Sequence, residues 1–207
     1  MQYVFIHGLG QDSLSWENTI SRITSPISVV CSNLSEFLDN KEMTYMNLYH
    51  SFSEYCNRTS EPLNLCGLSL GGVLALNYTI DYPAKVHSLV LIGTQYKMPK
   101  TLLRFQNIIF RFMPESIFKN TGFKKNDFIQ LTNSMSDLDF SGKLSNITCP
   151  VLVMCGDKDN ANKKAAKNLA ANILQADIQF IEKAGHEVNV NNPKSLAEKL
   201  DKFYSAV

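Results

Sequence analysis

Residues 63–75 of the chain are Leu-Asn-Leu-Cys-Gly-Leu-Ser-Leu-Gly-Gly-Val-Leu-Ala. An apolar run of strand length passes into Gly67-Leu68-Ser69-Leu70-Gly71 and then directly into a helical pattern. In a Gly-x-Ser-x-Gly turn the serine has a strained backbone that lifts its hydroxyl above the sheet, and small flanking residues avoid clashes. The stretch therefore predicts a strand, a sharp turn and a helix, with Ser69 as a nucleophile.

A second glycine-rich turn, His-Gly-Leu-Gly at residues 7–10, follows the first apolar run of the chain. A transition state with a developing oxyanion needs about two N–H donors that are fixed before the reaction. Leu70, directly after Ser69, offers one such donor at the start of its helix, and Leu9 is the candidate for the other. Glycine-rich turns also cradle phosphates, but the chain contains neither GxGxxG nor GxxxxGK[ST], which disfavours a nucleotide site.

A nucleophilic serine needs a general base, and the base needs a carboxylate that orients it. His186 follows the last apolar run, which places it at the carboxyl edge of a parallel sheet, where α/β proteins bind their ligands. Asp157 and Asp159 follow the preceding apolar run at the same edge, and spacing alone does not choose between them. The chain order of serine, aspartate and histidine is the order expected for a serine elbow of this kind.

Short apolar runs alternate with longer amphipathic segments along the chain. Runs that are apolar on both faces are typical of parallel strands covered by helices, so the alternation predicts an α/β fold in a single domain over residues 1–207. The predicted strands are Tyr3–Ile6, Ile27–Cys31, Leu63–Cys66, Ser88–Ile92, Val151–Cys155 and Ile178–Ile181. The predicted helices include Leu14–Ile23, Glu42–Cys56, Gly71–Asp81, Asn162–Ile173 and Pro193–Tyr204.

One segment, residues 96–148, interrupts this alternation because it contains no convincing strand. Within it, residues 101–113 are too apolar all round for a helix with one face in water. The segment is either an ordinary core helix or a lid whose second apolar face covers a substrate pocket. We favour the lid, because a plain crossover between two strands needs far fewer residues.

Composition excludes several classes of protein. The 20 basic and 19 acidic side chains give a net charge of +1, which argues against a nucleic-acid or acidic-membrane partner. No apolar stretch approaches the roughly 20 residues of a membrane span, and residues 1–6 predict a strand and not a secretory leader. The 5 cysteines include no CxxC pair, and the histidines lack zinc-site spacing. We therefore expect a cytoplasmic protein with reduced thiols and no metal.

The sequence resembles the α/β-hydrolase superfamily over essentially its whole length. The resemblance rests on residues 7–10, 67–72, Asp-Tyr-Pro at 81–83, residues 150–159 and Gly-His at 185–186. It implies Ser69 as the nucleophile, His186 as the base and Asp159, three residues after the strand-ending glycine, as the acid. It also implies the N–H groups of Leu9 and Leu70 as the oxyanion hole.

The same resemblance implies a small helical cap within residues 97–148. Many members of the family carry two further strands before the His-Gly strand, whereas this chain begins on that strand. We therefore expect six parallel strands in the order 2-1-3-4-5-6, with the cap inserted after the fourth. That order puts the topological switch point between the first and third strands, where the His-Gly turn and Ser69 would meet. Because the cap is short, the pocket beneath it is expected to be open or shallow.

The expected function is hydrolysis of small carboxylic esters through a Ser-His-Asp triad and an acyl-enzyme, with no cofactor. The expected partner is a small-molecule ester, and no sequence pattern indicates an oligomeric state. Five cap residues suggest that the pocket takes an apolar acyl or alcohol group: Leu102, Phe105, Ile109, Phe112 and Met113.

Two alternatives remain open at this point. The first is a thioesterase, carbon–carbon bond hydrolase or lyase that acts on an anionic metabolite. Arg104 and Arg111 are seven residues apart, hence on one face of the lid helix, and could bind a carboxylate. The second is a hydrolase-like binding protein without catalytic activity. Such relatives usually lack a triad residue, whereas this chain supplies all three.

Overall fold

The fold is built on one parallel sheet. The computed structural model describes residues 1–118 and 122–207, except for the side chains of Leu102, Phe105 and Ile117. The strands in these residues are β1 (Gln2–Ile6), β2 (Val29–Cys31), β3 (Leu63–Leu68), β4 (Val86–Ile92), β5 (Val151–Gly156) and β6 (Ala176–Ile181). They lie in the order β2-β1-β3-β4-β5-β6 and every neighbouring pair is parallel. The predicted strand order is confirmed.

Helices connect these strands. The α-helices of the described residues are α1 (Glu17–Ile20), α2 (Tyr45–Asn57), α3 (Leu70–Asp81), α4 (Lys100–Phe112), α5 (Lys125–Ser134), α6 (Lys163–Asn172), α7 (Val188–Asn191) and α8 (Pro193–Tyr204). Short 3-10 turns cover Ser13–Trp16, Leu34–Leu38, Pro83–Lys85, Glu115–Ile117 and Ser141–Asn146. The predicted helix Leu14–Ile23 is thus a 3-10 turn followed by a single α-helical turn. The Asp12 side chain starts that 3-10 turn by accepting a hydrogen bond from the Ser15 N–H.

The inner strands send successive side chains to two separate cores. Leu89 and Leu91 of β4 belong to the core formed with α2, α3 and α6. Val90 and Ile92 lie in the second core, under α8. Because successive side chains of a strand point to opposite faces of the sheet, a strand that is buried on both faces must be apolar at every position. This explains why these strands were recognisable in the sequence.

The two edge strands are less buried than we expected. All three residues of β2 are half-buried, and in β6 the side chain of Asp177 is exposed. An edge strand has a neighbour on one side only, so its outer border stays open to solvent. The expectation of burial on both faces therefore fits the inner strands and not β2 or β6.

A helical cap lies between β4 and β5, in agreement with the insertion expected after the fourth strand. It contains α4 and α5, which pack against each other. The Asn107 amide donates to Asn133 Oδ1 at 2.6 Å and joins the two helices. Lys97 and Asp139 close the base of the cap through an antiparallel bridge and an ion pair of 2.7 Å.

The N-terminus of α3 approaches the end of β1 so closely that only glycine fits there. A Cβ atom on Gly71 would lie 2.3 Å from the carbonyl oxygen of Ile6, and one on Gly67 would lie 2.3 Å from that of Gly71. Both contacts are with backbone atoms, which cannot rotate away. The turn between β3 and α3 can therefore lie this close to β1 only because these residues have no side chain.

His7 ties the turn after β1 to the segment that follows β2. Its ring is buried, and Nε2 accepts a hydrogen bond of 3.0 Å from the Leu34 N–H, so Nδ1 carries the proton and donates to the Gly8 carbonyl at 2.9 Å. Burial lowers the pKa of His7 below its ordinary value of 6.5 and outweighs the opposing effect of the hydrogen bond to Gly8. The ring is thus neutral in the folded protein at neutral pH.

The steric contact at Gly71 predicts a large loss of stability in Gly71→Ala. We expect the free energy of unfolding, measured by urea denaturation, to fall by about 2 kcal/mol or more. Gly142→Ala is the matched control because nothing lies within 4 Å of its added Cβ. Its stability should change by less than about 1 kcal/mol. Equal stability of the two variants would contradict the close approach.

The neutral His7 ring predicts a loss of stability on acidification. Below pH 6.5 the unfolded chain binds a proton at this position before the folded chain does, so the free energy of unfolding must fall. We expect a shallower fall between about pH 7 and 5 in His7→Gln, whereas His50→Gln, at an exposed position, should follow the wild type. Identical slopes in all three proteins would rule out a buried neutral His7.

Candidate active site

Ser69 lies at the sharp turn between β3 and α3. Its backbone angles, φ 53° and ψ −114°, are in a region that residues with a side chain rarely adopt. The Ser69 N–H donates to the Ile92 carbonyl at 2.8 Å, which anchors the turn to β4. The next residue, Leu70, is the first of α3, so its N–H belongs to the unpaired donors at the helix start. This is the strand, turn and helix that residues 63–75 predict.

The turn after β1 meets this elbow. A Cβ atom on Gly8 would lie 3.4 Å from the Cβ of Ser69. The side chain of Gln11 braces the turn: its Oε1 accepts from the Gly8 N–H at 3.4 Å, and its amide donates to Asn189 at 3.2 Å. Leu9 therefore lies in a fixed turn next to Ser69, as expected from the sheet order.

The loops after β5 and β6 bring an aspartate to a histidine. Asp159 Oδ2 lies 2.7 Å from His186 Nδ1. The carboxylate is buried, whereas the imidazole is partly exposed. When the ring is neutral, a proton on Nδ1 that points to the carboxylate leaves Nε2 free to accept another proton. The pair has the geometry of a general base with its orienting acid.

The structure distinguishes the two aspartates that the sequence left open. The Asp157 carboxylate accepts a hydrogen bond from the Ala184 N–H at 3.1 Å. That contact braces the loop that leads into Gly185 and His186. Asp159 is thus the aspartate brought to the ring, in agreement with the family resemblance.

Asn162 stabilises the Asp159–His186 pair. Its amide nitrogen lies 2.9 Å from both carboxylate oxygens of Asp159 and 3.1 Å from His186 Nδ1. Gln95 in turn donates to Asn162 Oδ1 at 2.8 Å. Burial alone would raise the pKa of Asp159, but the hydrogen bonds from His186 and Asn162 outweigh it and lower the pKa. Asp159 is therefore a carboxylate at neutral pH.

Three residues of the site, Asn162, Gln95 and Gly93, were not predicted from the sequence. Asn162 directly precedes α6, where an asparagine is an ordinary helix start, so its position carried no functional signal. Gly93 has a positive φ of 56°, and a Cβ there would lie 3.0 Å from the His186 ring. The glycine thus makes room for the imidazole, a role that only the folded chain reveals.

A cavity of about 380 Å³ lies between the cap and the carboxyl edge of the sheet. Ser69, Leu70, Asp159 and His186 all line it. Its apolar lining comes from both the core and the cap: Leu9, Val73, Met98, Leu103, Ile109 and Met135. The volume is within the range for small-molecule sites, and the sequence-predicted polar residues meet at its wall.

The five expected cap residues do not all face this cavity. Ile109 lines the cavity, whereas Phe112 is 85% exposed. Met113 packs against the core that β4 forms with α2, α3 and α6. The expectation is therefore wrong for Phe112 and Met113. At 3.6 residues per turn, Phe112 lies about 180° around α4 from Leu103 and about 60° from Ile109, which is itself 44% exposed, so the cavity side of the helix ends at Ile109. The side chains of Leu102 and Phe105 lie outside the described residues.

The two cap arginines also lie away from the cavity. Arg104 and Arg111 are exposed, and neither lines the cavity. Three residues of α4 line the cavity, and they are spaced by three positions along the inner face of the helix: Leu103, Gln106 and Ile109. The face of α4 with the arginines is the solvent face.

Residues 1–118 and 122–207 contain no group of three or more His, Cys, Asp or Glu side chains placed to bind a metal ion. In the same residues no helix has the length and apolar character needed to cross a bilayer.

Comparison with known proteins agrees with this architecture. Mouse monoacylglycerol lipase ABHD6 is 21% identical over an alignment of 253 positions that covers 99% of this chain and 75% of the relative. MenH from S. aureus has a TM-score of 0.82 at 16% identity, and the superposition covers 100% of this chain and 94% of MenH. An esterase from Thermogutta terrifontis has a TM-score of 0.76 at 17% identity, covering 100% of this chain and 90% of that one.

At these identities the similarity to solved structures supports the fold alone. A family model described as alpha/beta hydrolase fold matches residues 4–139, which is more than half of the chain. The match spans the His-Gly turn, the serine elbow and most of the cap. Together with the strand order, it establishes that the protein belongs to the α/β-hydrolase fold family.

Proposed function

We propose that the protein is a serine hydrolase that cleaves small, largely apolar carboxylic esters through an acyl-enzyme. The observation that carries this proposal is the 2.7 Å contact between Asp159 and His186 at a cavity that Ser69 also lines. These three residue types form the group that activates a serine hydroxyl in unrelated hydrolases. The proposed reaction uses only side chains, backbone N–H groups and water.

In the first half of the proposed reaction, Ser69 Oγ attacks the ester carbonyl while His186 Nε2 takes the hydroxyl proton. Asp159 holds the proton of Nδ1 and stabilises the imidazolium that forms. The N–H groups of Leu9 and Leu70 donate to the oxyanion of the tetrahedral intermediate. His186 then returns its proton to the departing alcohol, which leaves the acyl group on Ser69.

In the second half, a water molecule attacks the acyl-enzyme and His186 accepts its proton. The same N–H groups stabilise the second oxyanion, and as it collapses the bond to Ser69 Oγ breaks, His186 returns the proton to Oγ, and the acid is released. Asn162 acts as a positioning residue, because its amide stabilises the ionised form of Asp159 throughout the cycle.

The cavity supports an apolar substrate group. Its lining includes leucine, valine, isoleucine and methionine side chains from core and cap. Burial of an apolar chain against them contributes about 25 cal/mol per Å² of area removed from water. Two relatives in the comparisons are named as a lipase and an esterase, which is consistent with an ester substrate.

An anionic substrate is the weaker candidate. The arginines that the alternative needs, Arg104 and Arg111, are on the solvent face of α4. Among the described residues that line the cavity, none is lysine or arginine. A carboxylate bound beside Asp159 would meet like charge with no cation to offset it. These observations favour a neutral ester over a thioester or metabolite that carries an anionic group.

Loss of the Ser69 hydroxyl should abolish turnover. With p-nitrophenyl esters from acetate to laurate, we expect Ser69→Ala to lower kcat by about 10⁴-fold or more. Ser60→Ala, at an exposed serine, should match the wild type. The preferred acyl length measures the space under the cap. If a fluorophosphonate labels Ser69 but no ester is cleaved, the proposed substrate class is wrong; absence of both labelling and turnover favours a binding protein.

The two aspartates after β5 provide a matched pair. Asp159→Asn should lower kcat by about 10³- to 10⁴-fold, because the amide no longer selects the Nδ1–H form of His186. Asp157→Asn should lower it by less than about tenfold, since Asp157 contacts only the supporting loop. Steady-state kinetics and thermal midpoints of both variants are needed. Equal losses would contradict the assignment of Asp159.

Removal of a cap arginine should not change selectivity for charge. We expect Arg104→Ala to hydrolyse a neutral ester and a matched ester with a free carboxylate in the wild-type ratio of kcat/KM. A selective loss of more than about tenfold with the anionic ester, the size of one charge-assisted contact, would favour the alternative instead.

A further inference from the structure

Most polar side chains of the cavity already have partners within the protein. Asp159, His186, Asn162 and Gln95 form one connected set of hydrogen bonds. Two further polar side chains, Gln106 and Thr132, come from the cap and have no role in the proposed reaction. Polar groups in an otherwise apolar wall fix which ligand binds, because they must be paired when water is displaced.

Gln106 lines the cavity from α4 between Leu103 and Ile109. It is half-buried, and its carboxamide makes no hydrogen bond to any residue that the structure describes. A carboxamide offers two N–H donors and one carbonyl acceptor. A purely apolar ligand against this wall would desolvate these atoms without replacing the hydrogen bonds to water.

Thr132 lines the same cavity from α5. It is 2% exposed, and its buried hydroxyl has no hydrogen-bond partner among the described residues. A threonine inside a helix commonly satisfies its hydroxyl with the carbonyl three or four residues before it. Thr79 in α3 does so, with a bond of 2.7 Å to the Ala75 carbonyl. Thr132 therefore retains a hydroxyl that a ligand can satisfy through rotation about χ1.

The packing of α4 against α5 places these two residues at the same level of the cap. Asn107 and Asn133 are joined by a hydrogen bond of 2.6 Å, and Gln106 and Thr132 each precede one of them by one residue. Both residues line the cavity, and each is adjacent in the chain to one partner of this hydrogen bond. The cap thus contributes a small polar subsite in addition to apolar surface.

We propose that Gln106 and Thr132 select esters that carry a second, neutral oxygen group, a hydroxyl or a ketone, in the part of the substrate that lies under the cap. This proposal rests on the proposed ester hydrolysis. The group is neutral because none of the described cavity-lining residues is lysine or arginine and Asp159 is ionised. A ligand hydroxyl or ketone can form hydrogen bonds with the Gln106 carboxamide and the Thr132 hydroxyl, and all of these groups are uncharged.

The discrimination follows from the cost of unpaired polar groups. An ester with the additional oxygen restores the hydrogen bonds that Gln106 and Thr132 lose with displaced water. The plain alkyl ester leaves both unpaired. One neutral hydrogen bond corresponds to about a tenfold ratio in kcat/KM. We therefore expect the wild type to favour the oxygenated ester by about tenfold or more over its alkyl counterpart.

The test compares matched esters on both sides of the scissile bond. On the acyl side, p-nitrophenyl hexanoate is compared with the 6-hydroxyhexanoate and 5-oxohexanoate. On the alcohol side, butyl hexanoate is compared with 4-hydroxybutyl hexanoate. We expect Gln106→Met and Thr132→Val to reduce the preference for the oxygenated ester on one side by about 5- to 10-fold. Thr132→Ser, which keeps the hydroxyl, should retain most of it.

Two controls separate recognition from folding. Gln130→Met changes an exposed glutamine of α5, and Thr79→Val removes a buried threonine hydroxyl that is already paired. Neither should change the preference. Thr79→Val should lower the thermal midpoint, whereas Thr132→Val should not, because it removes an unpaired hydroxyl.

Three results would overturn the proposal. The first is a wild type without preference on either side, and the second is an unchanged preference in both Gln106→Met and Thr132→Val. The third is an equal slowing of both members of a pair together with a lower thermal midpoint, which indicates a structural role. Absence of Ser69-dependent turnover in both series would instead overturn the proposed function, and this proposal with it.

Discussion

The contact between the N-terminus of α3 and the end of β1 is the constraint on which the site depends. The space for a Cβ atom on Gly71 is taken by the Ile6 carbonyl oxygen, 2.3 Å away, so the two segments meet through backbone alone. With glycine at this position, Ser69, at its positive φ, lies next to the turn that contains Leu9. The proposed oxyanion donors, the N–H groups of Leu9 and Leu70, and the Ser69 hydroxyl thus come from two backbone segments in close contact.

The remaining site residues come from the other half of the sheet. The loops after β5 and β6 bring Asp159 to His186, and Asn162 and Gln95 continue the hydrogen-bonded set toward the cap. The cap completes the cavity with one face of α4 and part of α5. We thus propose that the residues at the sheet edge carry out the reaction and that the cap selects the substrate. The sequence of the cap can then vary without altering the proposed catalytic residues.

Several features could be predicted because they depend on short-range rules. The elbow at Ser69 requires small residues at fixed spacing, and buried parallel strands require uninterrupted apolar runs. The order of the strands followed from the resemblance and agrees with the structure. Asn162 and Gly93 could not be found in this way, since an asparagine before a helix and a glycine after a strand are ordinary residues at those positions. Asn162 contacts Asp159 within one loop, but its contact with His186, like that of Gly93, joins two loops that meet only in the folded chain.

The α/β architecture, the serine elbow and the histidine at the carboxyl edge follow from local spacing and strand polarity in the sequence. Spacing left Asp157 and Asp159 open and the family resemblance implied Asp159; the tertiary structure shows which of them reaches His186, since both follow the same strand and differ in the path of the loop. It also decided which side of α4 faces the cavity. The expectation that residues 101–113 are too apolar for a helix with one face in water is wrong, because α4 keeps Arg104, Arg111 and Phe112 in solvent. Apolar residues occur on both the cavity side and the solvent side of α4, so its pattern alone did not show which side would pack against α5 and the sheet.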